Sequence, residues 1–550
     1  MEITPADLVL TGGHVHTVDP SQPSAEAVAV VGERIAFVGS TGDAAAWIGP
    51  RTRIVDLSGR LLLPGFQDAH VHPVTGGMDL LECDVRGHEG SREQTLAAIA
   101  TYVADHPEQA WIVGSGWYMG DFEHGTPRRE DLDAILPDRP AFFPNRDGHS
   151  TWVNTKALEL AGIDASTPDP ADGRIERDPD GTPTGTLHEG AATLVERLLP
   201  PHTDADWDAA LRAGQAYLHG FGITAWQDAI VTPDILAIYR RAVGAGILTG
   251  RVEAALWWDR ERGGEQVDEF AEVSRSIAPS RLRANSVKLM LDGVAETFTA
   301  SVISPWLGAD GRPTTNRGID FIDPVELPGF VTRVDAAGLQ PHFHALGDRA
   351  VRQALDAVQA ARAANGMSDT RPHLAHIQVI HPDDIPRFAA LGAVANAQPL
   401  WACHDPQMDV LTIPFLGADR ASWQYPFASL LRSGARLAMG SDWAVSTPDP
   451  LVEMEVAVNR ILRHPLLHDA EPFYPSERLT LEQAIHGFTM GSAYVNHLDE
   501  STGSITVGKL ADLVILDRDP FEMDTRVIAD ARVVGTFVGG APVFEAPALG

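Results

Sequence analysis

A chain of 550 residues is too long for one core, because a domain usually holds about 100–200 residues and an α/β barrel about 250 or more with insertions. Its 42 basic and 75 acidic side chains leave a net charge of −33, which argues against partners that need a basic face, nucleic acid and anionic membrane alike. With 44% hydrophobic and 21% charged residues and only two cysteines, Cys83 and Cys403, it reads as a soluble globular protein of a reducing compartment, without a disulfide framework or a Cys-based zinc site.

The opening MEITPADLVL is acidic and lacks a positive segment ahead of an apolar one, so no secretory leader is expected and the cytoplasm is the expected location. No run of about 18 apolar residues suggests a membrane span. Residues 1–62 hold short β-rich runs, DLVLTGGHVHTVD, EAVAVVGERIAFVGS and TRIVDLSGRLLLPG, punctuated by Gly, Asp and Pro. Residues 499–550 read alike, with ADLVILDRDP and ARVVGTFVGGAPVFEA. Neither end supplies enough strands for its own core; together they predict one small composite β-sandwich with residues 63–498 set into it.

Between the ends, eight strand candidates alternate with helical patterns: Leu61–His72, Ile223–Asp228, Arg251–Trp257, Ser286–Asp292, Gln340–His344, His373–Val379, Ala393–Gln398 and Arg436–Asp442. This alternation implies parallel strands with right-handed crossovers, an α/β fold of the (β/α)8 TIM-barrel type. The stretch of about 80–220 is too long for a simple βα connection and predicts an insertion with its own structure.

The chemistry lies at the expected strand ends. PGFQDAHVHP places His70 and His72 two apart, on one side of a strand, where two imidazoles can grip one ion. His14 and His16 repeat the spacing without companion ligands and read as surface or packing residues. Lys288, in NSVKLMLDG, is one of only three lysines among the 42 basic residues and sits in an apolar strand. A desolvated, neutral lysine amine can add CO₂ to give a carbamate, an anionic bridge for two cations; arginine stays protonated and cannot. QPHFHALGDRAV offers His342 and His344, of which His344 is nearer the strand end. HLAHIQVI offers His376, with His373 and His381 as supporting or surface residues, and LAMGSDWAV offers Asp442. Residues at one end of different barrel strands converge on one point. Imidazoles with a carboxylate suit Zn2+ or a similar transition ion, one or two of them, rather than magnesium or calcium. Such an ion lowers the pKa of bound water to about 7; Asp442 would then take the water's proton and pass it to the leaving group.

These segments, with HIQVIHPDDIPRF and GSDW, resemble the amidohydrolase superfamily, and within it the YtcJ-like branch, amidohydrolase family 3, which includes N-substituted formamide deformylases. The likeness runs through nearly the whole chain, including DGHSTWVNTKALELAGI in the insertion. It implies a metal-dependent hydrolase with His70, His72, Lys288, His344, His376 and Asp442 as ligands, and a role for His149 at the substrate carbonyl.

Trp257, Trp258, Trp306, Trp401 and Trp443 follow barrel strands, and Trp117 and Trp152 come from the insertion. Trp117, Trp152 and Trp401 are expected to wall a site with few charges, fitted to a small-molecule substrate with an apolar or aromatic substituent. Asp292 is expected to touch a substrate group or support a ligand; Asn154 is expected at the site, Glu189 is a weaker candidate, and His486 reads as structural. The function expected is hydrolysis of a C–N bond in an amide or N-substituted formamide. A deaminase or cyclic-amide hydrolase on the same scaffold, and a non-catalytic scaffold protein, are the alternatives; a homodimer is the default assembly.

Overall fold

The computed structural model describes residues 4–87, 91–463 and 471–547. The outer ends of both expected terminal segments, 1–3 and 548–550, lie outside the described residues, as do 88–90 of the insertion and 464–470.

Eight parallel strands form the central sheet in chain order: Phe66–Val71, Ile223–Val231, Arg251–Trp257, Leu282–Met290, Gln340–Ala345, His373–His376, Val394–Ala397 and Arg436–Met439. The sheet is joined into a barrel just beyond the last strand, where Asp442 N–H donates to the His70 carbonyl (2.8 Å) and His72 N–H to the Trp443 carbonyl (2.7 Å). Strands covered on both faces carry near-continuous apolar runs, and Phe66–Val71 and Gln340–Ala345 are buried at every position. Crossover helices such as Pro233–Gly244 and Asp348–Asn365 press apolar faces, including Ile235, Ile238, Val351 and Leu355, onto the outside of the barrel.

The run Leu61–His72, expected as one strand, divides at Gly65. Leu61–Pro64 pairs antiparallel with Leu513–Leu516, whereas Phe66–Val71 pairs with Ile223–Val231 in the barrel. Gly65 N–H donates to the Asp512 carbonyl at the crossing (2.8 Å), so the N-terminal sheet draws in residues past position 62. Strands of both chain ends share that sheet of eight: Leu8–His16, Ser24–Val31, Arg34–Gly39, Arg53–Asp56 and Leu61–Pro64 with Leu513–Leu516, Val533–Val538 and Ala541–Glu545. It buries its own apolar cluster, with Leu10, Val28, Leu62, Leu513, Ile515 and Phe537. A third sheet, of six strands from Cys83–Asp84 to Pro183–Glu189, occupies the chain between the first two barrel strands. No described helix is long and apolar enough to cross a membrane.

Candidate metal centre

His70 and His72 lie at the end of the first barrel strand, and their Nε2 atoms meet Asp442 Oδ1 at 3.3 and 2.9 Å. These three residues offer ligand atoms all within 4.8 Å of one another. Lys288 Nζ lies 3.2 Å from His70 Nε2. His376 Nδ1 is 3.8 Å from Asp442 Oδ2, and its ring meets His344 edge-on at 4.5 Å between centroids. These contacts bring the six residues together at one end of the barrel, His344 through its ring contact with His376. Among buried polar atoms, His344 Nε2 and His376 Nδ1 have no hydrogen-bond partner. Buried side-chain nitrogens are rarely left so, and imidazole nitrogens are borderline donors of the kind a transition ion takes.

Burial depresses the imidazolium forms of His70, His344 and His376 well below the usual histidine range, Lys288 adding to the effect on His70 and His149 to that on His344. Neutral imidazoles are the ligating form. Burial also brings the Lys288 ammonium down to about 7, against the pull of Asp442 and Asp228. Burial pushes Asp442 up, but the hydrogen bond with His72 holds its carboxyl below the ordinary range. His376 (φ 74°) and Asp442 (φ 54°) both occupy the left-handed backbone region, uncommon for non-glycine residues and frequent where a site dictates side-chain direction.

Neighbouring strands hold these turns in place. Asp68 Oδ1 accepts His70 N–H at 2.9 Å, and its Oδ2 accepts Ser441 Oγ at 2.6 Å, tying the first ligand strand to the residue before Asp442. Gln398 Oε1 accepts His376 N–H at 2.7 Å. Asp228, in the second strand three residues before its end, is buried and hydrogen-bonded by Tyr239 Oη at 2.7 Å. Of these supports, only Asp68 is marked in the sequence, as the carboxylate in PGFQDAHVHP.

His149 reaches the mouth from the insertion, its ring 5.6 Å from that of His344. Its Nδ1 pairs with Glu189 Oε2 at 3.0 Å, and Glu189 Oε1 accepts Thr299 Oγ1 at 2.9 Å. Burial alone would lower the His149 imidazolium, but the Glu189 carboxylate holds it up at about 9, so it is charged at neutral pH. The approach depends on Gly293: a Cβ there would lie 2.1 Å from Thr299 Oγ1 and 2.6 Å from Glu189 Oε1. Glu189, ranked low from sequence, therefore partners His149 directly.

Several expected placements are corrected. Trp117 and Trp152 do not reach the mouth: both are buried in the insertion's core, each indole N–H donating to a backbone carbonyl, of Phe143 (2.7 Å) and Arg128 (2.9 Å). Asn154 caps the helix Thr155–Ala161 and donates to the Leu136 and Arg139 carbonyls, so all its polar atoms are engaged. Asp292 is fully enclosed, and its carboxylate accepts the N–H groups of Ser301, Leu346 and Gly347; it braces the loop beside His344 and is closed to a substrate. Trp401 stacks on His376, 5.5 Å between ring centroids. His14 pairs with Asp519 and His16 packs on Phe521.

A cavity of about 640 Å³ adjoins the mouth. Trp401, stacked on His376, is in its wall, as are Val294, Leu346 and Val445, which follow Asp292, His344 and Asp442 in the chain; the six candidate ligands and His149 do not line it. Its walls are less free of charge than expected: Leu400, Met408 and Tyr118 share them with Asp147, Glu296, Asp405 and Arg146. Burial raises Glu296 to about 7 and raises Asp405 as well, favouring their neutral forms.

A family model described as "Amidohydrolase family" matches residues 53–544. The chain is 31% identical to Protein LONG AFTER FAR-RED 3 of Arabidopsis thaliana, over 98% of this chain and 92% of the relative. It is 29% identical to the N-substituted formamide deformylase of Arthrobacter pascens, over 98% of each. A solved structure of an uncharacterized metal-dependent hydrolase from Pyrococcus furiosus superposes with a TM-score of 0.70 at 26% identity, covering 94% of this chain and all of that one.

Proposed function

The chain belongs to the amidohydrolase family and is built as a metal-dependent hydrolase of that superfamily, and from this we propose that it cleaves the C–N bond of a small amide of the N-substituted formamide type. The observation that carries the reading is the convergence of His70, His72, His376 and Asp442 at one barrel mouth, with unpartnered nitrogens on His344 and His376. His70, His72, His344 and His376 with Asp442 would hold one or two zinc-like ions. Lys288, its amine brought near 7 by burial, would join them as a carbamate. A bound ion supplies a Lewis acid that ionises a water near neutral pH and polarises a carbonyl.

The chain's own residues account for the rest. Asp442, kept ionised, takes the proton of the attacking water and hands it to the departing amine nitrogen, converting a poor leaving group into a neutral amine. His149, kept charged by Glu189, aims a donor at the oxygen on which negative charge gathers. The apolar part of the cavity, Leu346, Leu400, Trp401 and Met408, takes the substituent on nitrogen. The formamide deformylase relative supports this choice of bond.

The test is a metal analysis of protein purified without chelator, followed by a screen of N-benzyl- and N-alkylformamides with formate and amine both detected. Bound zinc or a similar ion, and stoichiometric formate and amine, are expected. Ammonia release or a ring-opened product would reassign the reaction. Protein without a transition ion, inactive after reconstitution, would leave a non-catalytic scaffold.

A further inference from the structure

Resting on the metal-dependent reading above, we propose that His342 is a positioning residue that accepts the Nδ1 proton of His70 whenever His70 Nε2 is engaged, and thereby sets how tightly the mouth holds its ion. His70 Nε2 faces Asp442 Oδ1 and Lys288 Nζ, at 3.3 and 3.2 Å. Its Nδ1 therefore points down into the barrel, where it meets His342 Nε2 at 2.8 Å. A histidine that offers one ring nitrogen to an ion must carry its proton on the other, and the hydrogen bond made by that second nitrogen decides the matter. Carboxylates, backbone carbonyls or water usually serve as the acceptor; here an imidazole does.

His342 is fully buried, in a barrel interior that branched apolar side chains ordinarily fill. Burying an imidazole there is costly without partners, yet the structure supports it with a polar column. The His342 ring lies over His373 at 4.0 Å. His373 Nε2 pairs with Gln227 Oε1 (3.0 Å), and its Nδ1 receives the Asn396 amide (3.1 Å). Gln227 donates to Gln340 Oε1 (3.0 Å), and Gln340 donates to the carbonyls of Arg371 and Val495 (2.9 Å each). His373 is thereby locked with its proton on Nε2.

His342 is not locked, because its Nδ1 has no partner. With His70 Nε2 protonated, His342 Nε2–H donates to His70 Nδ1. When the His70 Nε2 lone pair is engaged, the Nε2 proton is released to solvent, the proton shared across the contact passes to His70 Nδ1, which then donates to His342 Nε2, and His342 takes up one proton from solvent at Nδ1. Each ring keeps one proton in both arrangements, so the pair can reverse without gaining charge in the core. A carbonyl in place of His342 could only accept.

Three proteins test this: wild type, His342→Phe, which keeps a ring and removes the acceptor, and His342→Gln, which restores an acceptor. Zinc affinity is read by competition with a chromophoric chelator, and folding of the metal-free proteins by thermal unfolding. The Phe variant is expected to bind zinc about 10–100-fold more weakly and the Gln variant to stay within about threefold of wild type. Equal affinity of wild type and Phe variant, or equal weakening of Phe and Gln variants, overturns the proposal. Should the Phe variant not fold, His342→Met removes the same acceptor and carries the same outcomes. A wild type that fails to hold zinc tightly would sink the proposed function itself, whereas a tight wild type with an equally tight Phe variant would sink only the role of His342.

Discussion

Asp442 is where one residue has most to do, since it faces both His70 and His72 through a single oxygen. Asp442→Asn should leave thermal unfolding within a few degrees of wild type while turnover falls about 10²–10⁴-fold, the usual range for losing a general acid–base; near-full activity would remove the assigned proton transfer. The two classes of tryptophan give a sharper comparison. Trp401→Ala should raise KM more for an N-benzylformamide than for an N-methylformamide, because the indole lies on His376 and walls the cavity. Trp117→Ala should instead destabilise the protein by about 3–5 kcal/mol, as for a large buried ring, without favouring either substrate. The same contrast shows what was readable in advance. The candidate ligands are legible from residue type and position at strand ends. The tryptophans could not be sorted, because an indole is equally at home in a core and in a pocket wall, and only the partner of its N–H tells them apart. His342 and His344 were inseparable for a related reason: both occupy the same strand face, and two residues of depth separate an interior ring from one at the mouth.

At the scale of elements, the active constellation depends on turns that carry no mark in the sequence. Nothing in HLAHIQVI or GSDW announces that His376 and Asp442 adopt positive φ, nor that Asp68 ties two strands 373 positions apart. Gly440 shows how close that tie is: a Cβ there would lie 2.6 Å from His70 N and 2.9 Å from Asp68 Oδ1. Gly440→Ala should destabilise by about 1–3 kcal/mol, as overpacking does, and should lower zinc content, both measurable on one preparation. The insertion's contribution is electrostatic. His149, raised from 6.5 to about 9, stabilises the folded state fully below pH 6.5 and loses that contribution as pH rises through about 9. Glu189, held below its ordinary value chiefly by His149 against the effect of burial, contributes above pH 4.5 and fades in acid. Unfolding temperatures of wild type and Glu189→Gln should therefore differ most between these limits and converge above pH 9–10; a gap that persists in alkali would place the stabilisation elsewhere.

For the molecule as a whole, alternation of strand and helix was enough to give the barrel, because period and spacing dictate parallel pairing. The strand that leaves the terminal sheet and enters the barrel was not separable, since LLLPGFQDAHV is apolar on both sides of Gly65. That junction predicts a dependence between distant parts. Leu61–Pro64, just ahead of the first ligand strand, is hydrogen-bonded to Leu513–Leu516. A chain ending at residue 498 should uncover Leu62 and its neighbours and fail to give a cooperative thermal transition; a soluble truncated barrel with normal melting would show the terminal sheet to be dispensable.

The barrel's seam runs through the proposed ion site, with His70 and His72 on one lip and Asp442 on the other. A polypeptide still being translated short of position 442 has made most of its donors and cannot yet assemble them. On the proposed metal reading, a circular permutant opened at this seam should lose its grip on the ion sooner than one cut between any other pair of strands.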